Sequence, residues 1–246
     1  MEWTTARGWV DACLGLLFPE RDTCLLCKIP VRGSARGLTK PGLCAACRHR
    51  ITLGNEPGCR ICGRTGEGPV CADCQVHPHT FFRARAYARY DGAVEDIIKA
   101  LKYQGDLRML PLLGDFLAEA YRWHYGSDRH VTLVPVPMHP DKKQRRGFNQ
   151  AEELAFYLHK KTRLPLLRDA LVRTADVASQ TTHTRRQRLS SMKGMYGLGP
   201  KGVEAIAGKY ILLVDDVLTT GATADACASV LFSAAAASVE VLTVAR

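Results

Sequence analysis

Two adjacent carboxylates, Asp215 and Asp216, followed by the hydroxyl-rich run Thr219, Thr220, Gly221, Ala222, Thr223, form the stretch of this chain best equipped for chemistry. The four residues before them, 211–214, are all apolar, the pattern of a strand buried on both faces. Carboxylates at the carboxyl end of such a strand can accept hydrogen bonds from a vicinal pair of hydroxyls, which a ribose presents. Gly221 permits close backbone approach, and a helix opening near Thr223 adds its positive end to the loop amides, so the loop can cradle a phosphate. The combination suits a ribose 5-phosphate. An ordinary strand, turn and helix with exposed acids is the alternative, and it leaves the cost of two acids at a buried edge unexplained.

A second constellation is sulfur. Cys24, Cys27, Cys44, Cys47, Cys59, Cys62, Cys71 and Cys74 make four CxxC pairs, with 16 residues between the first two pairs and 8 between the last two. Two residues between thiols let both sulfurs reach one metal at about 2.3 Å. Four such pairs point to structural zinc, two ions in all, with disulfides or an iron–sulfur cluster as alternatives. Sequential pairing places Cys24, Cys27, Cys44 and Cys47 at one site and the other four at the second; a cross-braced arrangement is the runner-up. His77 and His79 read as the link to the next domain, with substitute ligation the lesser role. Cys13 and Cys227 have no CxxC partner and read as small buried apolar residues.

A third feature is positive charge. In residues 81–90, period two puts Phe82, Ala84, Ala86, Ala88 and Tyr90 on one face and Phe81, Arg83, Arg85, Tyr87 and Arg89 on the other. Arginines alternating with aromatics on an exposed face suit single-stranded DNA, phosphates pairing with cations while bases stack on rings. The alternative is an edge strand solvated by its arginines. Lys142, Lys143, Arg145 and Arg146 form a second basic cluster, opposed only by Asp141.

These groups need a scaffold that gathers them at one edge. Residues 94–103, 110–125 and 150–161 have helical apolar spacing, with Asn149 a candidate N-cap for the last. Residues 131–136, 170–173 and 210–214 are apolar strand candidates, and a helix over 224–237 leads to a last strand at 239–244. Buried strands separated by helices predict an α/β fold, a parallel doubly wound sheet with ligands at the carboxyl ends of the strands. Residues 2–18 predict a short helix, residues 21–76 are the Gly, Pro and Cys mixture of a metal-stapled module, and residues 174–200 read largely as a long basic loop. The domains expected are a helix at 1–19, a zinc-binding module at 20–78 and an α/β domain at 79–246.

With 246 residues and 46% apolar content the chain can bury an ordinary core. Its formal charge of +10 favours an anionic partner; two zinc ions on eight thiolates lower that to about +6. No apolar run approaches the roughly 18 residues of a membrane span, and the first 20 residues carry acids, so a soluble cytoplasmic protein is expected.

The run through residues 211–223 resembles the phosphoribosyl pyrophosphate (PRPP) motif of type I phosphoribosyltransferases. The resemblance implies a phosphoribosyltransferase-like sheet with helices on both faces, ribose binding by Asp215 and Asp216, 5-phosphate binding by residues 219–223, and magnesium accompanying PRPP. It also implies that the Pro-stiffened loop after residues 131–137 holds pyrophosphate, beside Lys142, Lys143, Arg145 and Arg146; the alternative for these four is a solvated basic turn. IIKALKYQGD (97–106), VPVPMHPDKKQRRGFNQ (134–150), the Ser179–Gln180 pair and the CxxC pairs are similar to the ComF family, which includes ComFC and GntX-like proteins. Ser191, Met195 and Tyr196 depart from that family's pattern, so no base is named there.

The family likeness implies a cytoplasmic bacterial protein of DNA uptake, natural transformation or DNA utilisation, with single-stranded DNA and competence or recombination proteins as partners. Two functions stay open: a PRPP-binding module, or an enzyme transferring the phosphoribosyl group to an unidentified acceptor. Nucleobase salvage is a weaker third, since no base-binding hood is recognisable.

Overall fold

The computed structural model describes residues 23–31, 42–66, 68–126, 130–173, 194–200 and 202–246. The helix expected at 2–18, Cys13, Ser179, Gln180 and Ser191 lie outside the described residues. The chain divides into two compact units, one ending at Arg50 and one beginning at Ile51. Among the described residues no helix is long and apolar enough to cross a membrane.

In the first unit a tight turn carries Cys24 and Cys27. The Cys24 amide donates to the Ile29 carbonyl at 2.9 Å, and the Lys28 amide, at a left-handed φ of 61°, donates back to the Cys24 carbonyl at 2.9 Å. Helix α1 (Ala45–His49) follows, with Cys44 as its N-cap.

The second unit opens with the same device. The Cys59 amide meets the Arg64 carbonyl at 2.8 Å, and Gly63, with φ 75°, donates to the Cys59 carbonyl at 2.9 Å. Helix α2 (Ala72–Val76) then starts from Cys71. The two four-cysteine segments are structural repeats: a knuckle closed by a left-handed residue, then a one-turn helix bearing the second pair.

The rest of the second unit is α/β. In chain order it holds β1 (Ala84–Ala88), α3 (Gly92–Gln104), α4 (Met109–Tyr125), β2 (Thr132–Pro135), α5 (Pro140–Arg146), α6 (Gln150–Thr162), β3 (Leu171–Arg173), β4 (Tyr196–Leu198), α7 (Gly202–Ile206), β5 (Tyr210–Val217), α8 (Ala222–Ser233) and β6 (Ser238–Ala245). The main sheet has the order β1-β6-β5-β2 and is parallel throughout. The expected α/β architecture is therefore what the chain adopts. Helix α8 packs through Cys227, Ala228 and Leu231 with Ile211, Leu213, Val239 and Val241 of the sheet. On the opposite face α4 stacks Phe116 on Tyr87 at 4.2 Å.

The open edge of β1 is covered by the second cysteine segment. Ala84 donates to the Ile61 carbonyl at 2.6 Å, Gly54 to the Tyr87 carbonyl at 2.7 Å and Arg89 to the Thr52 carbonyl at 2.8 Å. An unpaired edge is a template for wrong association, and this segment satisfies it. Ile61 also packs against the sheet core, which is why the division by compactness falls at Arg50 while the change in composition falls near His77.

Three local expectations change. Residues 171–173 leave the main sheet and pair antiparallel with β4, so residues 196–198 of the supposed loop are a strand anchored by buried Met195 and Tyr196. The basic turn at 140–146 is helix α5, begun by His139 as N-cap and Pro140 at the first position. Strand β5 runs on to Val217 and so includes both acids. Asn149 caps α6 as expected, its side chain accepting from the Ala151 amide at 3.1 Å.

Candidate functional site

Because β5 continues through Asp215 and Asp216, the two carboxylates leave the strand on opposite faces. Asp215 lies on the α8 side, where burial and then the Asp215 charge push the Cys227 thiol up. Its Oδ1 turns back to accept the Asp216 amide at 2.8 Å. Burial, then the neighbouring Asp216 charge, pushes the Asp215 carboxyl up to about 7. Asp216 faces α3, where its buried Oδ2 meets Lys102 Nζ at 2.8 Å. Lys102 lies in the 97–106 motif, to which sequence reasoning gave no chemical role.

The loop that follows is shaped from below. Gly221 has φ 83°, and a Cβ on it would lie 2.5 Å from the His79 ring. That ring is fixed by a 2.7 Å contact from Nδ1 to Asp225 Oδ2 and by stacking on Phe81 at 4.4 Å. Asp225 Oδ1 also accepts the Thr80 amide at 2.7 Å. His79, read from sequence as a linker, is thus a buried support for the floor of the loop. Among the described residues the amides of Thr219, Thr220 and Gly221 have no hydrogen-bond partner, and the 12-residue helix α8 begins directly behind them. Free amides at a helix start suit an anion. Thr223 stands in the first turn of α8, half-buried beside this loop.

The end of β2 lies beside the diacid, with Pro135 opposite Val214 and the Val136 amide donating to the Val214 carbonyl at 3.0 Å. Asn149 Nδ2 holds the Val136 carbonyl at 3.1 Å, so one residue of the RRGFNQ run both caps α6 and fixes this loop. Lys142, Lys143 and Arg145 are exposed on α5 and Arg146 is half-buried. Lys143 pairs with Glu152 at 3.2 Å, which draws one of the four cations toward α6.

The arginine–aromatic face expected on β1 is not an exposed face. Phe81 and Tyr87 are buried, while Phe82, assigned to the core, is exposed. Tyr87 lies under Phe116 and Trp123. Arg83 donates to Glu240 at 2.8 Å and lies over the Tyr125 ring, Arg85 is half-buried against the Ala84 carbonyl, and only Arg89 is well exposed. The strand begins at Ala84, so the alternation does not reach back to residues 81–82, and α4 covers the side that Tyr87 occupies.

The cysteines converge in two sets. The sulfurs of Cys24, Cys27, Cys44 and Cys47 lie within 4.8 Å of one another, as do those of Cys59, Cys62, Cys71 and Cys74. Cys27 and Cys44, and likewise Cys62 and Cys71, stand 3.6 Å apart. A tetrahedral ion with bonds of about 2.3 Å needs sulfurs about 3.8 Å apart, so each set can hold one metal. Burial acts to raise the Cys24 thiol, yet amide donors from Cys44, Cys27 and Leu26 bring it down to about 6. Cys59 is brought to about 6 in the same way, by the amides of Cys71, Cys62 and Ile61. Buried Cys227 stands apart from both sets.

Comparison with known proteins bears on this arrangement. No family model matches the chain. It is 29% identical over 213 residues to Competence protein ComFC of Bacillus subtilis, covering 81% of this chain and 84% of that protein. The ComF likeness read from the motifs is borne out. DNA utilization protein YhgH of Escherichia coli is 28% identical over 228 residues, covering 85% of this chain and 99% of that one. Among solved structures, glutamine PRPP amidotransferase from B. subtilis superposes with a TM-score of 0.36 at 18% identity; 54% of this chain matches a quarter of that enzyme's length. Each of these two sequence likenesses covers more than four fifths of the chain.

Proposed function

We propose that this chain is a PRPP-binding protein of the ComF type, acting in DNA uptake or DNA utilisation. The observation that carries the reading is the meeting, at the carboxyl end of β5, of a diacid, with Asp216 paired to Lys102, and a loop whose amides have no partner among the described residues. Asp215 and Asp216 take the ribose hydroxyls, the amides of Thr219, Thr220 and Gly221 take the 5-phosphate, and the loop after β2 with the α5 cations Lys142, Lys143, Arg145 and Arg146 faces the pyrophosphate. Ala222 and Thr223 close that loop at the start of α8, Thr223 adding its hydroxyl to the 5-phosphate site. The carboxylate oxygens are the hard ligands that magnesium takes, and the ion supplies charge neutralisation for the pyrophosphate when bound. The two thiol sets fit structural zinc, each bringing four sulfurs within reach of one ion, with Cys24 and Cys59 held toward the thiolate by amide donors. The competence and DNA-utilisation names of the relatives, with a net charge of +10, support a single-stranded DNA partner. With β1 covered, that contact falls to cations elsewhere, the exposed Lys142 and Arg145 among them.

The alternative is catalysis, transfer of the phosphoribosyl group to an acceptor with release of pyrophosphate. Incubation with PRPP and magnesium separates the two. Intact PRPP recovered from the complex supports the binder, and pyrophosphate released at a rate lost in the Asp215→Ala variant supports the enzyme.

A further inference from the structure

The second cysteine set differs from the first in how deeply it lies. Cys59, Cys62, Cys71 and Cys74 are all buried, whereas in the first set Cys27 is exposed and Cys44 half-buried. A zinc ion on four thiolates carries a net charge of about −2. Water can screen that charge at the first set. At the second the protein must offset it, because a buried charge without a partner is costly. Arg246 is placed to do so. Its amide donates to the Ala88 carbonyl at 3.0 Å and its carbonyl accepts from the Tyr90 amide at 2.8 Å, which clamps the residue onto the end of β1, the strand that the second knuckle covers. From there it lines a cavity together with Gly63, Arg64 and Thr65 of that knuckle. Nε and Nη1 of its guanidinium are buried with no hydrogen-bond partner among the described residues, a condition native proteins rarely leave without a cause. Its charge acts on Cys62: burial raises that thiol, while the Arg64 amide and then the Arg246 charge draw it back. A guanidinium stays charged in proteins, so a neutral thiol leaves it without a counterpart and a metal-bound thiolate supplies one.

We propose that Arg246 is the counter-charge of the second metal site, its guanidinium offsetting the excess negative charge of a zinc ion held by Cys59, Cys62, Cys71 and Cys74 and so holding the metal there. The inference rests on the proposed zinc reading and extends it to a residue that follows β6, far outside the four-cysteine segment. The two sets are thereby unequal, the second retaining its metal with the help of a charge supplied by the sheet.

The test is competition of the full, zinc-loaded chain with rising concentrations of a chelator, for the parent and for Arg246→Met, Arg246→Lys and Arg89→Gln. Hydrogen exchange at the Cys59 and Gly63 amides, whose bonds close the second knuckle, follows that set; exchange at the Cys24 and Lys28 amides follows the first. Arg246→Met is expected to give up the second zinc at least about tenfold more readily, the scale on which groups around a metal site act, with the first set unchanged. Arg246→Lys keeps the charge, and Arg89→Gln removes an equal charge from an exposed residue of the same cavity, so both are expected to hold zinc as the parent does. The two backbone bonds of Arg246 do not depend on its side chain, and circular dichroism checks the fold. Should Arg246→Met not fold, Arg246→Gln carries the same expectation. Parent-like retention in the folded neutral variant overturns the inference while leaving the metal sites standing. An equal loss in Arg246→Lys or Arg89→Gln, or at both sets, does the same. A parent that holds zinc in neither set overturns the zinc reading, and this inference with it.

Discussion

Lys102 Nζ lies 2.8 Å from Asp216 Oδ2, joining two motifs 114 positions apart in the chain and neutralising one of two adjacent acids. Lys102 also lowers the Asp215 carboxyl, against the burial and the Asp216 charge that raise it to about 7. A carboxyl raised in the folded state contributes stability that is full below its ordinary value near 4 and is lost as pH rises through about 7. Lys102→Met removes the cation that eases ionisation, so its cost should fall mainly at high pH. We predict a loss of about 2 kcal/mol at pH 8 and clearly less at pH 5. Denaturant unfolding at the two pH values measures it, and equal losses at both would show that Lys102 acts through its Asp216 pair alone, with no part in the ionisation of Asp215.

Gly221 and His79 set the floor of the phosphate loop. Gly221→Ala adds a Cβ 2.5 Å from the His79 ring at a backbone angle that disfavours alanine. The expected result is a stability loss of about 1–3 kcal/mol together with at least tenfold weaker PRPP binding. A variant that binds PRPP as tightly as the parent would show that the loop's backbone does not shape the ligand site.

The second cysteine set covers the β1 edge, so metal removal should reach the sheet. With a chelator strong enough to strip both sets, hydrogen exchange at the Ala84 and Arg89 amides should rise along with exchange in the cysteine segments. Elemental analysis before stripping should return two zinc ions per chain. Sheet-edge amides that stay protected in fully stripped protein would uncouple the metal site from the fold.

The parts of this architecture that were legible in the sequence were those written locally. The apolar run ahead of Asp215, the helical spacing around residues 94–103 and 110–125, and the cap at Asn149 each declare themselves within a few positions. The start of α5 is equally local, since His139, Pro140 and Asp141 form a capping pattern ahead of the dense charge that follows. What the sequence could not display was pairing across the fold. Lys102 finds Asp216, His79 finds Asp225, and the segment around Ile61 finds β1, each across more than twenty residues. The strand at 84–88 departs from expectation for a related reason. Period two identifies two faces but not what lies on them, and Tyr87 faces α4 rather than water.

The central claim is that Asp215 and Asp216 are ribose ligands, and calorimetric titration with PRPP and magnesium tests it most directly. The parent should bind, while Asp215→Ala and Asp216→Ala, folded by circular dichroism, should each bind at least about tenfold more weakly, as the loss of a charge-assisted hydrogen bond requires. A parent that takes up no PRPP, or folded variants that bind it as the parent does, would contradict the account.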